Sequence, residues 1–224
     1  MKKLLSVAVV LMTAALFFAG CSNSVSETLP GTWVSSVQYY SDGTSGNWTN
    51  SRNRISYSCA DPSTLGIEAN TSNTYFCYPT PTQIYGVRAK VKQNSFTDTE
   101  QGIILFLTSN NDTGNWDSYY RLSFWKNSFI LFEKLNGSEI TCLSQNENGY
   151  VNTFSNAINN EGQENEVLFY TDGDNLVIKV NGTELKRIPK RLDSGRAGAC
   201  IVISDDSTGP INANWEFVEF QTEK

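Results

Sequence analysis

Residues 166–188, EVLFYTDGDNLVIKVNGTELKRI, leave this chain few alternatives. Two turn signals punctuate the stretch: Asp172-Gly173-Asp174-Asn175 and Asn181-Gly182, the latter a strong short-range hairpin signal. With Gly173-Asp174 at the first tip, Thr171 faces Leu176, Phe169 faces Ile178 and Val167 faces Val180. The second turn is expected to set Ile178 opposite Leu185 and Lys179 opposite Glu184. One face is then apolar and the other carries an opposite-charge pair. Because side chains alternate along a strand, a one-residue slip would turn the apolar set to solvent. The stretch reads as a three-stranded antiparallel meander.

The same reading extends along the chain. Strands are expected at 33–40, 55–57, 65–69, 75–78, 84–92, 102–108, 119–125, 129–135, 140–143, 150–154, 197–204 and 215–221, about a dozen besides the meander. Residues 102–108 are nearly all apolar, as in a strand covered on both faces. A hairpin about Lys126-Asn127 places Phe124 opposite Phe129 and Leu122 opposite Leu131 on a core face. Its other face then shows Tyr119, Arg121 and Trp125 beside Ile130 and Phe132. No long helical period competes with this pattern, so the fold class is all-β, an antiparallel sandwich or barrel.

Residues 1–20 stand apart from the fold. Lys2 and Lys3 precede an apolar run at 4–18, of signal-peptide length and short for a membrane span. The run ends in LFFAGC, which resembles a bacterial lipobox, with Phe18 where Leu or Val is commoner. That resemblance implies acylation at Cys21, a polar tether at 22–28, and a sandwich domain at 29–224. Ser22 after the cysteine implies sorting to the outer membrane. The expected partner is therefore a membrane, through lipid. With 17 Lys and Arg against 23 Asp and Glu, the chain carries a formal charge of −6, and no nucleic-acid partner is expected.

Beyond Cys21 there are four cysteines, Cys59, Cys77, Cys142 and Cys200. An even number in an oxidising compartment predicts two disulfides, with three pairings open. Their placement favours 59–77 with 142–200. There is no histidine, which excludes Ser-His-Asp and Cys-His catalysis and histidine metal sites.

From YGVRAKVK through QGIILFLT, YYRLSFW, LVIKVNGTEL and SGRAGACIVIS to ANWEFVEF, the order of elements resembles the concanavalin A-like, or laminin-G-like, jelly roll. The resemblance covers roughly 83–220. It implies a β-sandwich jelly roll shared by lectins, carbohydrate-binding modules, adhesion domains and glycoside hydrolases. A rival sits at the start, where LPGTW resembles the G-x-W opening of lipocalin barrels.

Three functions follow as expectations: a non-catalytic module that binds glycan or host ligand, a structural or protein–protein module, and a glycoside hydrolase. Hydrolysis needs two facing carboxylates, and hydrolases of this fold often carry Glu-x-Asp-x-x-Glu on one strand. Glu216 and Glu219, three apart, would point to opposite faces of a regular strand. Glu164 and Glu166 share a face but lack the intervening Asp. No catalytic residue and no metal ligand is therefore assigned. Calcium is the one cofactor weighed, with Asp205 and Asp206 as its ligands; Asp172 and Asp174 read as turn formers. For glycan, Trp48 and Trp116 each follow Gly-Asn in a polar loop. The expected site is Trp116, Asp117 and Tyr119, with Trp48 as a further wall, because rings beside polar groups suit the apolar faces of sugars.

Overall fold

The computed structural model describes residues 28–36, 83–93, 99–109, 116–145, 152–160, 162–203 and 211–224, and the backbone of short strands between 49 and 77. Sixteen strands run β1 (Thr32–Ser35), β2 (Thr49–Asn50), β3 (Ile55–Asp61), β4 (Thr64–Ala69), β5 (Phe76–Cys77), β6 (Gly86–Gln93), β7 (Thr99–Ser109), β8 (Trp116–Trp125), β9 (Ser128–Lys134), β10 (Thr141–Cys142), β11 (Thr153–Phe154), β12 (Glu164–Asp172), β13 (Asn175–Val180), β14 (Thr183–Pro189), β15 (Arg196–Ile203) and β16 (Ile211–Glu223). Eight form one antiparallel sheet in the order β14-β13-β12-β6-β16-β4-β3, with β1 on the far half of β16. Six form the second, β10-β9-β8-β7-β15, with β11 beside β9; β2 and β5 pair separately. Two open sheets stacked face to face make a jelly-roll sandwich. This overturns the closed-barrel alternative: Trp33 lies on the outward face of the larger sheet, 6.0 Å from the Tyr170 ring, with its indole N–H donating to the Pro30 carbonyl.

The meander falls as its turns dictate. Val167 pairs with Val180, Phe169 with Ile178 and Thr171 with Leu176. Asn181 and Gly182 take φ of +49° and +80°, the paired left-handed geometry of a two-residue turn whose twist matches its strands. One expectation is corrected. Lys179 does face Glu184, but a bulge makes Ile178 face Lys186 instead of Leu185. The extra residue, Leu185, packs against the core.

The core lies between the sheets. Val87, Ala89 and Val91 of β6, Val167 and Phe169 of β12, and Trp215, Phe217 and Phe220 of β16 meet Ile103 and Leu105 of β7, Tyr120, Leu122 and Phe124 of β8, and Ala197 and Ala199 of β15. Trp215 reaches across, its indole N–H donating to the Gly102 carbonyl at 2.9 Å. β7 is covered on both faces as its sequence predicts: Ile103 and Leu105 point to the core and Ile104 packs outward with Leu107, Tyr119 and Cys200. At one end, Arg191 holds buried Glu133 by two guanidinium hydrogen bonds, and its backbone N–H donates to the Tyr120 hydroxyl at 2.9 Å. Burial pushes the Tyr120 phenol up to about 12.

The expected 142–200 disulfide is overturned. β10 and β15 are the opposite margins of the six-stranded sheet, and both Cys142 and Cys200 are free thiols. Four strand spacings of about 4.8 Å separate them, far beyond the Cα distance a disulfide spans. Of Cys59 and Cys77 the structure describes the backbone, in β3 and β5; their pairing lies outside the described residues.

Candidate functional site

The sheets' two outward faces differ in chemistry. On the eight-stranded sheet, β6 presents Arg88 and Lys90 to carboxylates from both sides. Arg88 lies 2.8 Å from Glu219 and 3.8 Å from Glu166, and Lys90 lies 3.1 Å from Glu216. Arg187 of β14 holds Asp172 at 2.8 Å and Glu184 at 2.9 Å. Hydrogen bonding to Glu216 raises the Lys90 pKa, and hydrogen bonding from Arg187 lowers that of Glu184. Glu216 and Glu219 share this face, contrary to the sequence expectation, because a bulge between Phe217 and Glu219 resets the alternation. Each of the two is matched by a cation. The described N-terminal segment covers a neighbouring part of this face, Leu29 and Trp33 packing on Leu168, Tyr170 and Val177.

On the six-stranded sheet, register lays the outward side chains in rows. Cys200 lies opposite Gly102, Gly102 opposite Ser123, and Ser123 opposite Ile130. This row is low and buried, and Gly102 can only be glycine, since an added Cβ would fall 1.8 Å from the Leu122 carbonyl oxygen. On one side of it Arg121 lies opposite Phe132, and Phe132 opposite Cys142. The Arg121 guanidinium stacks 4.5 Å over the Phe132 ring and lies 3.6 Å from Glu100 across the low row. On the other side Trp125 lies opposite Ser128, and Ser128 opposite Phe154, with Lys126 4.6 Å over the Trp125 ring. Phe154 is 59% exposed, while Trp125 and Phe132 are half-buried. The result is three rings, Trp125, Phe132 and Phe154, around a small-residue floor. Trp125 and Phe132 stand about four residues, or ~14 Å, apart along the strands.

Glu100 is the carboxylate of this arrangement. Burial raises its pKa, against the pull of Arg121 and a hydrogen bond from Ser123.

The expected site is only partly assembled. Asp117 and Tyr119 both lie in β8, with a register shift beside Asp117. The Asp117 carbonyl accepts the Gly137 N–H at 2.7 Å. Tyr119 does point outward, yet it is 5% exposed and packed with Ile104, Leu107 and Cys200, so its ring is not an open platform. Trp116 opens β8, and its side chain, like Trp48, Asp205, Asp206 and Cys21, lies outside the described residues. The outward set of Arg121, Trp125, Ile130 and Phe132 falls on one face as the alternation implies. Phe154 falls in the strand expected at 150–154, here two residues long, but its place beside Trp125 could not be read because pairing across the sheet is not local.

No family model matches the chain, and no curated protein matches it. Solved structures do. The carbohydrate-binding module CBM66 from Bacillus subtilis is similar with a TM-score of 0.53 at 10% identity, over 79% of this chain and 97% of that one. The β-glucanase of Bacillus licheniformis gives 0.54 at 12% identity, over 87% and 99%. A protein from work on endo-acting O-glycanases that initiate mucin breakdown, expressed by prominent members of the human gut microbiota, gives 0.53 at 8%, over 78% and 91%. The fold is thus the concanavalin A-like jelly roll. At these identities the likeness concerns architecture, which modules and hydrolases share.

Proposed function

We propose that this chain is a membrane-anchored bacterial lipoprotein whose sandwich binds glycan on the outward face of the six-stranded sheet and does not cleave it. The observation that carries the reading is the ring set of Trp125, Phe132 and Phe154 around a low floor, beside one carboxylate among the described residues, Glu100, held by an arginine. Sugar rings stack on aromatic faces without chemistry, whereas glycoside hydrolysis needs a second carboxylate ~5–9 Å from the first. The likeness to a carbohydrate-binding module supports the ligand class, and the glucanase likeness keeps hydrolysis as the second reading. Trp48, Trp116, Asp117 and Tyr119 stay in the proposal as further ligand-binding residues, on the sequence reading alone. The anchor at Cys21, with outer-membrane address, rests on the leader sequence.

Binding of the detergent-solubilised full chain to a glycan array tests this. Phe154→Ala should weaken the retained glycan by about 1–3 kcal/mol and leave the melting temperature unchanged, because the ring is largely outside the core. Release of reducing ends from the bound glycan would favour the hydrolase. Cys21→Ser should abolish detergent-phase partitioning if the anchor is real.

A further inference from the structure

The charges on the two outward faces are handled differently. On the eight-stranded sheet, Arg88, Lys90 and Arg187 each lie within 3.1 Å of a carboxylate, and Lys92 alone of the β6 cations there has no ion pair among the described residues. On the six-stranded sheet, Arg121 is engaged with Glu100, while Lys126, Lys134 and Arg196 have no ion-pair partner among the described residues. Their places follow from register. Lys126 sits in the β8–β9 turn above Trp125. Lys134 lies opposite Tyr119, two residues beyond Phe132, and Arg196 lies opposite Leu107 on β15, beside the same Tyr119 cluster. Among the described residues, the acids on or beside this face are Glu100, already taken, Asp117 at the β8 bulge, and Glu139 in the turn after β9. Three cations of this face thus have no ion pair among the described residues, in a chain of formal charge −6. Unmatched charge at a recognition face selects partners of opposite sign.

We infer that the glycan is anionic, a polysaccharide carrying carboxylate or sulfate groups at intervals along its length. This rests on the glycan-binding reading above. Spacing argues for a polymer: Lys126 and Lys134 stand about six to eight residues apart along β9, ~20 Å or more. That is too far to serve one substituent, but they bracket the rings from both ends. Stacking would hold the sugar faces, and the cations would select the charge.

The test passes the detergent-solubilised full chain over immobilised polygalacturonate, dextran sulfate and a neutral β-1,3-glucan. Binding to one of the anionic polymers should exceed binding to the neutral glucan at least tenfold. It should fall at least tenfold between about 0.1 and 1 M salt, as screening shortens from ~10 to ~3 Å. A Lys126→Ala/Lys134→Ala/Arg196→Ala variant should lose the anionic preference, and Phe154→Ala should weaken the same binding. Which polymer is retained separates carboxylate from sulfate recognition. Equal, salt-insensitive retention on the neutral glucan would overturn the anionic inference and leave glycan binding standing. Anionic retention unaffected by Phe154→Ala would mean diffuse charge attraction and would overturn it too. No retention on any polymer, with none bound on the array, overturns both readings.

Discussion

Cys142 and Cys200 carry opposite consequences of their places in one sheet. Cys200 is fully buried between Gly102, Ile104 and Ser123, and burial pushes its thiol up to about 12. Cys142 is half-buried at the margin, 3.5 Å from the Ser144 hydroxyl. Iodoacetamide should therefore label Cys142 in the native protein and Cys200 only after denaturation. A disulfide-linked peptide pair containing both would refute the strand order. Glu100 offers a pH test of the same face. Because burial raises its folded pKa, the folded chain holds this proton more tightly than the unfolded chain. The group's contribution is thus most favourable at low pH and declines as pH rises from the ordinary carboxylate value through the raised one. Denaturation of wild type and Glu100→Gln between about pH 4 and pH 7 should show that decline in the wild type alone. The reverse slope would mean that Arg121 outweighs desolvation.

At the scale of elements, the turns were legible and the bulges were not. Asn181-Gly182 announces its geometry because few residues tolerate two successive positive φ angles. Gly182→Val should accordingly cost about 1–2 kcal/mol in chemical denaturation, with the β13–β14 pairing weakened first. The alternation of β8, β9 and β12 was likewise readable, since each strand buries one face or two. The bulges at Ile178/Lys179 and Phe217/Glu219 carry no compositional mark, yet each reverses one expectation, about Leu185 and about Glu219. The 142–200 pairing failed for a related reason. Local pattern gives the strands but not their order across a sheet, and that order puts β10 and β15 at opposite margins. Gly102 shows the reverse case, a residue whose necessity only packing reveals. Gly102→Ala should destabilise by about 1–3 kcal/mol or more through the clash with Leu122, as measured by urea unfolding.

Taken whole, the molecule is a sandwich with one face rich in ion pairs and one face carrying the rings. The ion-paired face also receives the described N-terminal segment. Gln221, fully buried on β16, accepts from the Thr171 N–H and hydroxyl and donates to the Thr171 and Pro30 carbonyls, clipping that segment to β12. If a tether from Cys21 arrives there, the face with Trp125 and Phe154 lies on the opposite side of the sandwich from the tether. The central claim is that this open face holds a glycan without breaking it. The most direct measurement titrates the full chain, wild type and Phe154→Ala, with oligosaccharides of whichever glycan it retains, and then sizes the oligosaccharides by chromatography. The account predicts saturable binding weakened about tenfold or more by the substitution, with every oligosaccharide recovered at its starting length. Equal affinity in the two proteins, or recovery of shorter products, would contradict it.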